Sequence, residues 1–104
     1  MKKRYSEMTR EELFAEMQRC LGEKRKKEQA GFISEANILE QKYYMAKSYL
    51  TDPSTIVTGE YYRVEEMDDL FFVRYLNGVM AWGYFESNPD EEAALPIGRL
   101  QAPK

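Results

Sequence analysis

Apolar residues recur at helical spacing through the first half of the chain and nearly alternate through the second. Leu13, Phe14, Met17, Cys20 and Leu21 form one stripe at steps of three and four, with polar side chains on the remaining faces. Thr9 precedes this stripe, and Glu12 stands three residues after it, so the pair reads as a capping box. Met8 and Leu13 sit at the staple positions. Gly31 marks the expected end of this first helix. A second helix is expected from about Ser34. Ala36, Leu39, Tyr43, Ala46 and Leu50 form its seam, and Ile38, Met45 and Tyr49 widen it into a broad apolar face. Asp52-Pro53 stops it, because proline disfavours helical geometry in the residue before it. Two such helices joined by a short connection should fold back as an antiparallel hairpin.

Beyond Pro53 the period changes to that of strands. A turn at Gly59 leads into Tyr61-Tyr62-Arg63-Val64, and Leu70–Leu76 and Val79–Phe85 flank Asn77-Gly78. An Asn-Gly pair between two such runs is a strong type I′ hairpin signal. With that turn, Tyr75 faces Met80, Val73 faces Trp82 and Phe71 faces Tyr84. One face then carries Phe71, Val73, Tyr75, Met80, Trp82 and Tyr84. The other carries Leu70, Phe72, Leu76, Val79, Ala81 and Phe85, with Phe72 opposite Gly83. Asn88–Glu92 reads as a loop, and Ala94–Ile97 as a last short strand or strand pair broken at Pro96. The expected class is α+β: an N-terminal antiparallel helical hairpin (residues 1–53) packed on a C-terminal SH3-like small β-barrel (residues 54–104). Both parts are expected to share one hydrophobic core.

Composition narrows the chemistry. One Cys and no His among 104 residues exclude intrachain disulfides, His-containing triads and imidazole switches within this chain. Cys20 lies on the apolar stripe and reads as a small hydrophobe. The acidic runs Glu65–Asp69 and Asp90–Glu92 lack calcium-loop spacing and read as exposed turn charges. No cofactor, metal or catalytic residue is expected, and no run is long enough to span a membrane. A reducing cytoplasm fits the cysteine usage.

The net charge of −3 hides an asymmetry: residues 1–52 carry net +2 and residues 53–104 net −5. Any nucleic-acid contact therefore falls first to the helices, through Lys24, Arg25, Lys26 and Lys27, with Lys2, Lys3 and Arg4 as supporting cations. The competing reading of that run is a solvated helix end whose cations complement the dipole. Tyr61, Arg63 and Tyr84 are the candidate surface platform of the second half, the other rings serving the core.

The stretches Gly59–Val64, Phe71–Tyr84 and Glu92–Ile97, together with Arg4–Thr9 and Met45–Ser54, resemble the YfhH family of small Bacillus-type bacterial proteins. The resemblance implies helices followed by an SH3-like barrel, a cytoplasmic bacterial protein and the label of transcriptional regulator. It carries no catalytic residues over. Two functions follow as expectations. The first is a noncatalytic binding or regulatory module engaging protein or nucleic acid. The alternative is a self-associating protein whose Ile38, Met45 and Tyr49 pack on another copy without nucleic-acid binding.

Overall fold

The computed structural model describes residues 3–103, with side chains described as far as Gln101. The chain divides after Leu50 into two compact units.

In the first unit, a 3₁₀ turn over Tyr5–Glu7 precedes helix α1 (Arg10–Gln29), and helix α2 runs over Ile33–Leu50. The capping box at Thr9 is present. The Glu12 N–H donates to Thr9 Oγ1 at 3.2 Å, and the Thr9 N–H donates to Glu12 Oε1 at 3.0 Å. The end of α1 is a Schellman motif. Gly31, at φ 85°, donates its N–H to the Glu28 carbonyl, and the Phe32 N–H donates to that of Lys27. Because the chain reverses there, α2 returns antiparallel alongside α1. Lys27 meets Glu35 near the turn, and Lys24 meets Glu40 further along. The buried cluster joins Leu13 and Met17 to Ala46, with Tyr5, Met8, Tyr43 and Leu50 at its border. Cys20, Ala36 and Leu39 are also buried. The α2 face differs from the expected one. Tyr44 and Ser48 are buried, the Ser48 hydroxyl donating to the Tyr44 carbonyl at 2.7 Å, whereas Ile38 and Tyr49 are exposed.

The second unit is one five-stranded antiparallel sheet: β1 (Tyr61–Val64), β2 (Leu70–Asn77), β3 (Met80–Phe85), β4 (Asn88–Pro96) and β5 (Leu100–Pro103). Its order is β4-β3-β2-β1-β5, so β4 and β5 are its two edges and do not pair with each other. The expected SH3-like barrel is therefore wrong: the sheet is open. The count and length of strands do not dictate how the outer two pair, and the exposed Asp90-Glu91-Glu92 stretch makes β4 a charged edge that resists further pairing. That stretch belongs to a strand, where a loop was expected.

The β2–β3 hairpin also departs from expectation. Asn77 pairs with Met80, so Gly78 and Val79 are the two turn residues. Gly78 has φ 60° and Val79 has no positive φ, which fits a type II′ turn with glycine first, not type I′. This slip alone leaves Tyr75, Met80, Trp82 and Tyr84 together. The larger change is a bulge: Tyr75 pairs with Trp82 and Val73 with Gly83, leaving Arg74 unpaired between them. One extra residue flips the side-chain phase, so Phe71 and Val73 move to the face opposite Tyr75, and Phe72 joins the rings. The inner face consequently holds Phe71, Val73, Leu76, Ala81 and Phe85 with Tyr62, Val64 and Leu95; Ile56, Ile97 and Leu100 from the flanking segments pack against it. Gly83 lies within this bulge with its α-carbon pressed on the Phe72 backbone.

The two interior glycines give opposite expectations. A Cβ on Gly83 would land on the Phe72 carbonyl oxygen, a backbone atom that cannot rotate away. Gly83→Ala should cost more than about 4 kcal/mol and abolish the cooperative unfolding of the sheet. A Cβ on Gly22, in mid-helix, meets nothing within 4 Å. Gly22→Ala should stabilise by about 0.5–1 kcal/mol. Urea titration followed by helical circular dichroism and Trp82 emission reads both; a folded, wild-type-like Gly83→Ala would contradict the close approach.

Candidate functional site

The outer face of the sheet collects rings because three strands bring one aromatic residue each to the same level. Tyr61 on β1 pairs with Phe72 on β2, and Phe72 pairs with Tyr84 on β3. Ring centroids are 5.0 Å apart for Tyr61–Phe72 and for Phe72–Tyr84, the latter stacked at 23°. The Tyr61 and Tyr84 hydroxyls stand 3.5 Å apart, and this hydrogen bond is the main cause raising the Tyr61 phenol above its ordinary value. One level along, Tyr75 and Trp82 stack within 2° of parallel at 6.1 Å. Across from Trp82, β4 presents only Ala94. The five rings are partly accessible, Tyr75 most of all at 44%.

Charges border this face unevenly. Arg63, exposed, follows Tyr61 by two residues and so shares its side of β1. Glu86 follows Tyr84 by two, and its N–H donates to the Leu70 carbonyl at 2.9 Å, extending the ladder. On β4, Ala93 pairs with Gly83 and Asn88 with Phe85, so residues 89–92 stand opposite the single residue Tyr84. Asp90, Glu91 and Glu92 in that stretch are exposed. The structure brings Tyr61 and Tyr84 together, both half-buried, with the exposed Arg63 at their margin. Phe72, Tyr75 and Trp82, expected in the core or on a covered face, join them. No local motif marks them, because their place on this face follows from the bulge at Arg74.

A depression of about 710 Å³ opens beside this margin, lined by Arg63, Glu66, Asp68, Asp69 and Glu86 among others. Asp69 is committed to structure: its carboxylate accepts the Leu70 N–H at 2.9 Å and both the N–H and the hydroxyl of Ser87, tying the β1–β2 loop to the β3–β4 turn. Among the described residues no three His, Cys, Asp or Glu side chains converge as a metal site would require.

The basic run does not form one patch. Lys24 lies 2.9 Å from Glu40 and 3.9 Å from Glu28. Lys27 lies 3.8 Å from Glu35 and also sits over the Phe32 ring at 5.4 Å. Arg25 and Lys26 are left facing solvent. Lys3 pairs with Glu12 at 3.1 Å; Arg4 is exposed, and Lys2 lies outside the described residues. Helical spacing sends four consecutive side chains in four directions, and the antiparallel partner helix claims two of them.

On α2, Ile38 (53% exposed), Met45 and Tyr49 (40% exposed) line a groove of about 420 Å³ with Tyr5, Gln41 and Lys42. Tyr5 was not anticipated there. Its hydroxyl donates to Glu16 Oε2 at 2.7 Å, and its ring meets that of Tyr49 edge-on at 6.5 Å. Glu16 in turn accepts a two-pronged bond from Arg19, with both contacts at 2.8 Å. This is the chief reason its carboxyl is lowered to about 2. The same contact with Glu16, after burial, raises the Tyr5 phenol. Cys20 is fully buried with its thiol raised by burial, and behaves as core.

These features define a small two-unit protein whose distinctive surfaces are an aromatic sheet face and an apolar helix groove. The chain belongs to the family described as "Protein of unknown function (DUF1811)", whose model matches residues 3–101. It is 52% identical over 101 residues to "Uncharacterized protein YfhH" of Bacillus subtilis (strain 168), covering 97% of each chain. The resemblance to the YfhH family is thereby borne out. The label of transcriptional regulator is not: neither description carries it, and the SH3-like barrel that came with it is an open sheet. None of the described helices is long and apolar enough to cross a membrane.

Glu16 gives the helical unit an acid-sensitive joint. Its folded value of about 2 lies below the ordinary 4.5, so its contribution is fully present above about pH 4.5 and is lost as pH falls toward 2. Glu16→Gln should be less stable at neutral pH by about 1–3 kcal/mol. Its deficit relative to wild type should close on acidification. Denaturant titrations across that range measure it; a deficit constant with pH would contradict the arrangement.

Proposed function

We propose that this protein is a noncatalytic binding module that engages a protein partner through the outer aromatic face of its sheet. One observation carries the reading: Tyr61, Phe72 and Tyr84 in one row, with the Tyr75–Trp82 stack beside them, remain partly accessible on a face separate from the sheet's own packed side. Rings with few rotatable bonds are efficient anchors, because little conformational freedom is lost on contact. Contiguous apolar surface of this kind marks interaction sites in soluble folds. A protein partner is favoured over nucleic acid because residues 53–104 carry net −5 and two of the four cations in the basic run already meet carboxylates.

A second reading, self-association, is favoured by the exposed Ile38 and Tyr49 around the α2 groove. In it, the groove packs on a second copy.

One capture experiment separates the two. Tagged protein is exposed to native cell extract spiked with an untagged copy, with and without nuclease. The first reading expects a retained partner that survives nuclease treatment and is lost with Tyr75→Ser. The second expects retention of the untagged copy, unaffected by Tyr75→Ser and lost with Ile38→Asp. Retention that nuclease abolishes, or that neither substitution changes, would contradict both.

A further inference from the structure

We infer that the segment received by the aromatic face is cationic: an extended, arginine- or lysine-bearing stretch of a partner protein, with a positive side chain seated at Tyr84. This inference rests on the reading of that face as a binding surface and adds the chemistry of its occupant. Phe72 and Tyr84 stack on one another, so Tyr84 is the last ring of the row on the β4 side. What stands beyond it on β4 is the widened stretch 89–92, in which Asp90, Glu91 and Glu92 are exposed; two residues after Tyr84, in the turn that follows β3, is Glu86, also exposed. Asn88 Nδ2 donates to Glu91 Oε2 at 2.9 Å. A cation near a tyrosine is attracted by the ring quadrupole, and carboxylates along the same edge of the sheet add to that attraction.

The face has a polarity that orients its occupant. Its cation lies at the other end of the row: Arg63, exposed, on β1. A bound segment therefore places its positive groups toward β3 and β4 and tolerates a carboxylate near Arg63. Trp82, with Tyr75 stacked on one side and only the small Ala94 across from it on the other, offers apolar ground for the stem of a long cationic side chain. A nucleic-acid strand would meet the same carboxylates as repulsion.

Trp82 is the sole tryptophan of the chain and lies two residues from Tyr84, so its emission reports occupancy directly. The probes are short peptides alternating glycine with arginine, with glutamate or with tyrosine. The arginine peptide should change Trp82 emission saturably at low salt, and affinity should fall as salt rises. Glu86→Gln should weaken it about two- to fivefold. Tyr84→Leu, which keeps apolar bulk and removes the ring, should weaken it by a similar factor of about two to five. Circular dichroism confirms that each variant is folded, and the surface change at Glu86 keeps the test open should Tyr84→Leu not fold. Equal or tighter binding of the glutamate or tyrosine peptide would overturn the cationic occupant while leaving the face a binding surface. Arginine-peptide binding indifferent to both substitutions would overturn its seat at Tyr84. No response to any of the three peptides would overturn both this inference and the reading beneath it.

Discussion

The sheet unit depends on one close approach, that of the Gly83 α-carbon to the Phe72 carbonyl at the β2–β3 bulge. No side chain fits there, so the two strands can cross at this level only with glycine. Arg74 is the residue left over by that crossing, and its insertion shifts β2 by one residue relative to β3. Below the bulge, Phe71 and Val73 point to the packed side; above it, Leu76 does the same while Tyr75 points away. Without the shift, β2 would send Phe71, Val73 and Tyr75 to one side and break both the core and the ring row. The aromatic face is thus a consequence of how the core is satisfied.

Electrostatics divides the chain in a complementary way. In the helical unit the cations of α1 face carboxylates of α2, so the charges that might have formed a patch instead link the helices. Such pairs are individually modest, on the order of 0.2–1 kcal/mol where exposed. The stronger joint is the half-buried Tyr5–Glu16–Arg19 set, in which the Glu16 carboxylate accepts from both the Tyr5 hydroxyl and the Arg19 guanidinium. In the sheet unit the carboxylates are distributed differently. Asp69 is committed to the loop–turn tie, whereas Glu86 and the β4 stretch stay at the margin of the rings. The acidic edge blunts strand addition at β4.

Local signals in the sequence proved reliable where one or two residues decide the outcome. Thr9 with Glu12 starts α1, Gly31 ends it, and Asn77-Gly78 places the hairpin to within a residue. The errors came from features with no local mark. Arg74 is an ordinary strand residue by type, so nothing announces a bulge, and a single insertion reassigns Phe71, Phe72 and Val73 between faces. Strand number and size suggested closure, yet closure depends on whether β4 meets β5, a long-range pairing no short motif encodes. Of the candidate site, Tyr61 was legible from strand phase, and Tyr84 from its place near a strand end and its need for a hydroxyl partner. Phe72, Tyr75 and Trp82 were not, because their exposure follows from the bulge. Nor was Tyr5, which reaches the α2 groove through a hydroxyl bond to Glu16 and not by helical spacing.

The register across the bulge is most directly read by cross-strand nuclear Overhauser contacts in the β2–β3 hairpin. The structure requires contacts linking Tyr75 with Trp82 and Phe72 with Tyr84, with Arg74 unpaired between them. Contacts linking Tyr75 with Trp82 but Val73, in place of Phe72, with Tyr84 would instead describe an unbulged hairpin, and would remove the separation of core and aromatic face on which the functional reading stands.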